Sequence, residues 1–174
     1  MRRILAWGGV LVGSLVGVLL ILLAVVYVWS GIRINRTLQI EPRLPALSTV
    51  DGSLQRGGRI ATFRGCVDCH GANLAGRVFI DDPLAGRLVA PNLTPGAGSA
   101  TGSYDEADWI RSIRHGVGPS GRLLRFMPSY EYYDLGERDL VDLVRHLQSL
   151  QPVDIQLPTF RLGPALRISY LSGA

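Results

Sequence analysis

The sequence predicts a mostly α protein, one N-terminal membrane-spanning helix followed by a small helical domain. Three observations carry this. Residues 4–32 contain no charged side chain, and about 20 apolar residues suffice to cross a hydrocarbon core as a helix. Two later segments repeat apolar residues at helical spacing. Strand signals are nearly absent. Composition excludes other classes. With 47% apolar and 18% charged residues the chain is not intrinsically disordered, and two cysteines do not make a disulfide scaffold. All 18 basic residues are arginine. Arg2, Arg3, Arg33 and Arg36 stand in a 36-residue segment without an acid, while residues 37–174 hold 14 arginines and 14 acids. The pI near 9.5 therefore belongs to the N-terminal segment. A neutral remainder argues against a nucleic-acid partner, which requires basic surface to neutralise phosphates.

Residues 1–32 are expected to form the transmembrane anchor. Trp7 lies near one end and Tyr27 and Trp29 near the other; between positions 7 and 29 a helix rises about 33 Å, which suits aromatic belts at two membrane interfaces. A cleaved signal peptide would have a shorter apolar core, of about 7–15 residues, and a small-residue cleavage site. Gly9, Gly13 and Gly17 line one face at the spacing that lets a second membrane helix approach. The flanking arginines, two on each side, set no orientation. Residues 33–50, with Pro42 and Pro45, read as a semi-rigid linker.

Residues 51–151 read as the helical domain. A first helix is expected over 52–63, where Gly57 and Gly58 suggest a close helix crossing that compensates their poor propensity. A second begins at Ser103, with Glu106 three residues on as a capping box; it places Ala107, Ile110 and Ile113 on one face and stops at Gly116. The last covers 137–149, with Leu140, Leu143, Val144, Leu147 and Leu150 at helical spacing, acids at its start and Arg145–His146 at its end. The stretch between His70 and Ser103, with three prolines and six glycines, reads as one long loop. A loop of that length is accounted for if it wraps a bound group. Residues 152–174, with Pro152, Pro158 and Pro164, form a C-terminal tail, either laid on the domain or strapped against a partner subunit. Two glycosylation sequons, at Asn35 and Asn92, carry no weight.

The chemistry lies in Gly65-Cys66-Val67-Asp68-Cys69-His70. This C-x-x-C-H spacing lets two thiols add across the vinyl groups of haem while the adjacent imidazole lies on the iron axis. A thioredoxin-like redox pair needs a βαβ context. A zinc site from Cys66, Cys69, His115 and His146 leaves His70 without a role. Haem c is attached outside the cytoplasm. The domain is therefore expected on the periplasmic side of the cell (inner) membrane, with a single-pass anchor. For the other axial position there is one methionine besides Met1, Met127 in Arg125-Phe126-Met127-Pro128; His115 and His146 are the alternatives. A thioether ligand raises the haem potential.

With this frame the chain resembles class I cytochrome c. The shared features are Gly-Cys-x-x-Cys-His-Gly, Pro91-Asn92-Leu93-Thr94-Pro95, Trp109, the segment from His115 to Arg122, Met127-Pro128 and the final Asp- and Leu-rich helix. It is most similar to the haem domains of cytochrome subunits of bacterial membrane-bound alcohol and sugar dehydrogenases, although those typically carry three haem motifs and this chain has one. The resemblance implies a helical fold around one covalent haem c, axial ligation by His70 and Met127, a proline carbonyl (Pro91, or else Pro83) on the proximal imidazole, and electron transfer in place of catalysis. The expected role is a subunit of a respiratory or photosynthetic membrane complex, with redox partner proteins or other subunits beside it. A tethered carrier and a haem-based sensor are the alternatives. Acid–acetone extraction should leave the haem on the polypeptide, with a c-type pyridine haemochrome; freely extractable haem would contradict the reading of the Cys66/Cys69/His70 motif.

Overall fold

The computed structural model describes residues 2–43 and 52–172. Helix α1 (Arg2–Ile34) contains a 29-residue span long and apolar enough to cross a membrane. Val10, Leu11, Leu15 and Leu20 on it are each at least 60% exposed, so this part of the helix has no protein core around it. It runs two residues past the expected end of the anchor. Part of the linker expected over 33–50, residues 44–50, lies outside the described residues, as do Asp51 at the expected start of the domain and 173–174 of the tail.

The domain is built on α2 (Leu54–Phe63) and α5 (Glu137–Gln148), which cross closely. The crossing occurs at Gly57, where a Cβ would overlap the backbone carbonyl of Asp142; at Gly58, a Cβ would meet the His146 ring. The glycines that weaken α2 as an isolated helix are thus what allow it to pack. Ala61, Ile110, Leu140, Leu143 and Val144 fill the core behind the crossing, each 0–1% exposed. The buried Asp142 joins the same elements by polar contacts. Its Oδ1 accepts the Ser53 amide at 2.6 Å, and Arg56 reaches both Asp142 and Asp139. Ser53 Oγ in turn caps α2 by accepting the Arg56 amide at 3.2 Å, so the helix starts at Leu54, two residues later than expected.

Helix α4 (Glu106–His115) also departs from expectation at its start. The cap is Asp105, and the capping box closes with Asp108: the Asp108 amide donates to Asp105 Oδ1 at 2.8 Å, and Asp108 Oδ2 accepts the Asp105 amide at 3.3 Å. A carboxylate two residues downstream outcompetes the Ser103 hydroxyl. The helix ends at Gly116 as predicted. Helix α5, expected to be the last, starts after Gly136 and ends at Gln148, close to the expected bounds.

The stretch between His70 and Ser103 is not the one long loop expected. β1 (Arg77–Asp82), β2 (Gly86–Ala90) and β3 (Arg161–Leu162) form an antiparallel sheet in the order β1-β2-β3, the first two inside the stretch read as one loop. Asp82 Oδ1 builds the hairpin turn by accepting the amides of Leu84 (2.8 Å) and Ala85 (2.7 Å). The strands are short, one is shifted by a bulge near Val78–Ile80, and the third comes from the tail, so no long alternating pattern marks them. The tail runs over the domain's own surface. The Ile155 amide donates to Ala97 O at 3.1 Å, and Asp154 Oδ1 accepts the Ala97 amide at 2.7 Å. After β3 the chain turns into α6 (Pro164–Ser172), which packs on the end of α1. A second apolar cluster of Ile34, Leu88 and Leu162 forms where α1, the sheet and α6 meet.

Gly57→Ala should destabilise the holo-protein by roughly 1–3 kcal/mol, because overpacking against backbone that cannot move aside outweighs the gain of about 1 kcal/mol in helix propensity. A denaturation midpoint at or above wild type would contradict this crossing.

Candidate haem site

Gly65 sets up the site. It takes the left-handed conformation, φ 78°, which a side chain disfavours. It reverses the chain from the end of α2 directly into the single helical turn α3 (Cys66–His70). In a helix, residues three and four positions apart share a face, so Cys66 places Cys69 and His70 beside itself. All three are half-buried. Cys66 and Val67 pack against the main core, and burial pushes the Cys66 thiol above its usual range.

The His70 ring is held from behind. Its Nδ1 lies 2.8 Å from the carbonyl oxygen of Pro91. A carbonyl only accepts, so Nδ1 carries the proton and Nε2 keeps its lone pair. Burial lowers the His70 pKa, and the Pro91 bond only partly offsets this, so the ring is neutral at physiological pH. Two thiols on one face and a neutral imidazole with a free Nε2 form a donor set that fits a covalently attached, imidazole-ligated haem. Of the two prolines considered from sequence, Pro91 makes the contact.

Pro91 is fixed by a buried polar network that the sequence reading did not assign. Asn92 is 0% exposed; its Oδ1 accepts the Thr94 amide (2.9 Å) and hydroxyl (2.8 Å), and its Nδ2 donates to Val153 O at 2.8 Å. The Val153 amide donates to Thr94 Oγ1 at 3.0 Å, and the Leu93 amide to Leu74 O at 2.9 Å. The motif Pro-Asn-Leu-Thr was the available signal, since a fully buried Asn must satisfy its amide. Two of these five bonds are made by Val153 of the tail, some 60 positions away.

Met127 is half-buried and packs on the same core as Cys66, Val67, Leu93 and Tyr104. The Ser129 amide donates to Met127 O at 2.8 Å, opening a 3₁₀ turn over Ser129–Glu131. Just beyond, the buried Tyr132 hydroxyl donates to Arg64 O at 2.7 Å and contacts the Cys66 thiol, tying the methionine loop to the cysteine turn. Burial and the neighbouring thiol push the Tyr132 pKa up, which keeps it a donor. His115 lies at the end of α4, edge-on to Tyr133 with ring centroids 5.9 Å apart, and His146 lies on α5 against Gly58. Among the described residues no three His, Cys, Asp or Glu side chains converge to hold a metal, so the zinc set weighed from sequence is not assembled.

A helical domain with a thiol pair and an adjacent imidazole on one turn defines a haem-carrying electron-transfer protein. The cytochrome c family model matches residues 54–151, more than half of the chain, and the chain belongs to the cytochrome c family. Covalently bound haem c and electron transfer follow from that membership. Relatives include a "Diheme cytochrome c-type" from Cereibacter sphaeroides, 29% identical over 72% of this chain and 45% of its own length. The fructose dehydrogenase cytochrome subunit of Gluconobacter japonicus is 30% identical over 63% of this chain and 24% of its own. A cytochrome c subunit of alcohol dehydrogenase (quinone) from Gluconacetobacter polyoxogenes is 28% identical over 58% and 22%. The chain thus spans less than half the length of these relatives.

Asn92→Ala removes three side-chain hydrogen bonds and leaves buried polar partners unpaired, at about 1–3 kcal/mol for each unsatisfied group. It should lower the stability of the holo-protein by about 2–4 kcal/mol in chemical denaturation. A loss below about 1 kcal/mol would contradict the network.

Proposed function

We propose that the protein is a membrane-anchored monohaem cytochrome c. In this reading Cys66 and Cys69 form the thioethers, His70 and Met127 are the axial ligands, and α1 anchors the domain on the periplasmic side of the cell membrane. It passes single electrons as a stably bound subunit of a membrane oxidoreductase complex. The observation that carries this is the His70 Nδ1 bond to Pro91 O, 2.8 Å, which leaves Nε2 as the only ligating atom of an imidazole seated beside two thiols. The single C-x-x-C-H motif in these 174 residues supports one haem in this stretch of chain. The relatives named as dehydrogenase cytochrome subunits support an oxidoreductase setting.

Bound haem supplies a one-electron ferrous–ferric couple. The chain supplies the rest. With His70 and Met127 both holding the iron, no coordination position would stay open, which suits electron transfer and disfavours substrate binding. Val67, Leu93 and Tyr104 pack on the same core as Cys66 and Met127; beside a bound haem they would exclude water and so raise its potential.

A fixed subunit is favoured over a swinging carrier by the contacts of the residues that follow α1. The Leu38 amide donates to Gly121 O at 2.8 Å, Thr37 bridges to Arg122, and Arg111 Nε donates to Ile40 O at 2.9 Å. The first part of the linker is thus bonded to the domain. Fourteen arginines against 14 acids after residue 36 also give little long-range steering.

The oxidised protein should show the weak near-infrared sulfur-to-iron charge-transfer band, and Met127→Ala should abolish it while covalent haem is retained. A wild-type spectrum without the band, or a band that survives in Met127→Ala, would overturn the methionine assignment.

A further inference from the structure

The end of α6 is placed where a membrane-spanning α1 would leave the bilayer. Arg167 Nη1 donates to Ser30 Oγ at 2.8 Å, and its guanidinium lies over the Tyr27 ring, 4.6 Å from the centroid. Arg33 Nη1 donates to Leu171 O at 3.2 Å. Tyr27 and Trp29 are the residues that mark the outer membrane–water boundary on the sequence. A nine-residue helix bonded to Tyr27, Ser30 and Arg33 therefore lies at that same level.

The outward face of α6 is not that of a helix in water. Leu166 and Tyr170 turn inward onto Ile34, Leu88 and Leu162. On the other side Ala165 and Ile168 are exposed, Ile168 at 53%, and no acid occurs between Asp154 and Ser172. Beside the first turn, Leu84 is 66% exposed, and its carbonyl accepts the Ala165 amide at 3.1 Å. On α1, Trp29 and Ile32 are 61% and 70% exposed. The exposed apolar side chains of α6 and Leu84 thus stand beside the end of α1, where apolar side chains are exposed as well. Arg33 and Arg167, amid this apolar surface, carry charges suited to phosphate headgroups while their stems stay in apolar contact.

We propose that α6 is an interfacial helix that lays Ala165 and Ile168 into the headgroup–acyl boundary, and that Leu84 joins it there. The partner is phospholipid. The consequence is a fixed seat: α6, the sheet and the end of α1 share one apolar cluster, so the haem domain is held at one height and tilt over the membrane. This rests on the proposed anchoring by α1.

The test places the photocrosslinking amino acid p-benzoylphenylalanine at Ile168 of the full-length holo-protein in native membranes, with Leu20 in the middle of α1 as a control site. Retained haem absorbance shows that each variant has folded, and Ala165 provides a second site on the same face. Illumination should attach phospholipid at Ile168, read as a mass increase of its peptide that phospholipase shortens. A cross-link to another protein at Ile168 and Ala165, or none at either while Leu20 captures lipid, would overturn the interfacial helix. Absence of lipid at Leu20 as well would overturn the anchoring beneath it.

Discussion

The hydrogen bond from His70 Nδ1 to the Pro91 carbonyl is the constraint on which the rest of the site depends. A single helical turn carries both cysteines and the histidine, but an imidazole on one turn would rotate freely unless its far nitrogen were held. The Pro91 carbonyl holds it at 2.8 Å. A backbone carbonyl in a glycine- and proline-rich stretch is itself mobile unless its neighbours are fixed. Asn92 and Thr94 fix them, and both bond the backbone of Val153. The tail therefore belongs to the ligand cradle.

From Val153 the same chain continues into β3 and α6, which reach the end of α1. The orientation of the imidazole and the contact of the domain with α1 are thus parts of one covalent path. The domain has two apolar clusters to match: one behind the α2–α5 crossing and the cysteine turn, the other at the junction with α1. In the proposed reading the first excludes water from the haem and the second sets its position over the membrane.

Much of this was legible in the sequence, where the signal was local. The apolar run of α1, the Gly57–Gly58 crossing, the end of α4 at Gly116 and the bounds of α5 each depend on residues within a few positions of one another. The C-x-x-C-H motif is likewise local, as is Gly65 before it. What was misread depends on competition or on distance. Ser103 and Asp105 both offer a cap, and the carboxylate that closes a reciprocal box with Asp108 prevails. The strands were hidden because β1 and β2 are short and bulged and β3 is contributed from more than 70 residues away. Asn92 and Thr94 resemble a surface sequon until Val153 is laid against them.

In the proposed reading the Pro91 carbonyl orients a neutral His70 whose Nε2 faces the haem. Proton NMR of the reduced, diamagnetic holo-protein with ¹⁵N-labelled histidine measures that bond directly. The account predicts a resolved Nδ1–H resonance for His70 that exchanges slowly with water at neutral pH. A His70 Nδ1–H that exchanges as fast as that of a solvent-exposed histidine would contradict it.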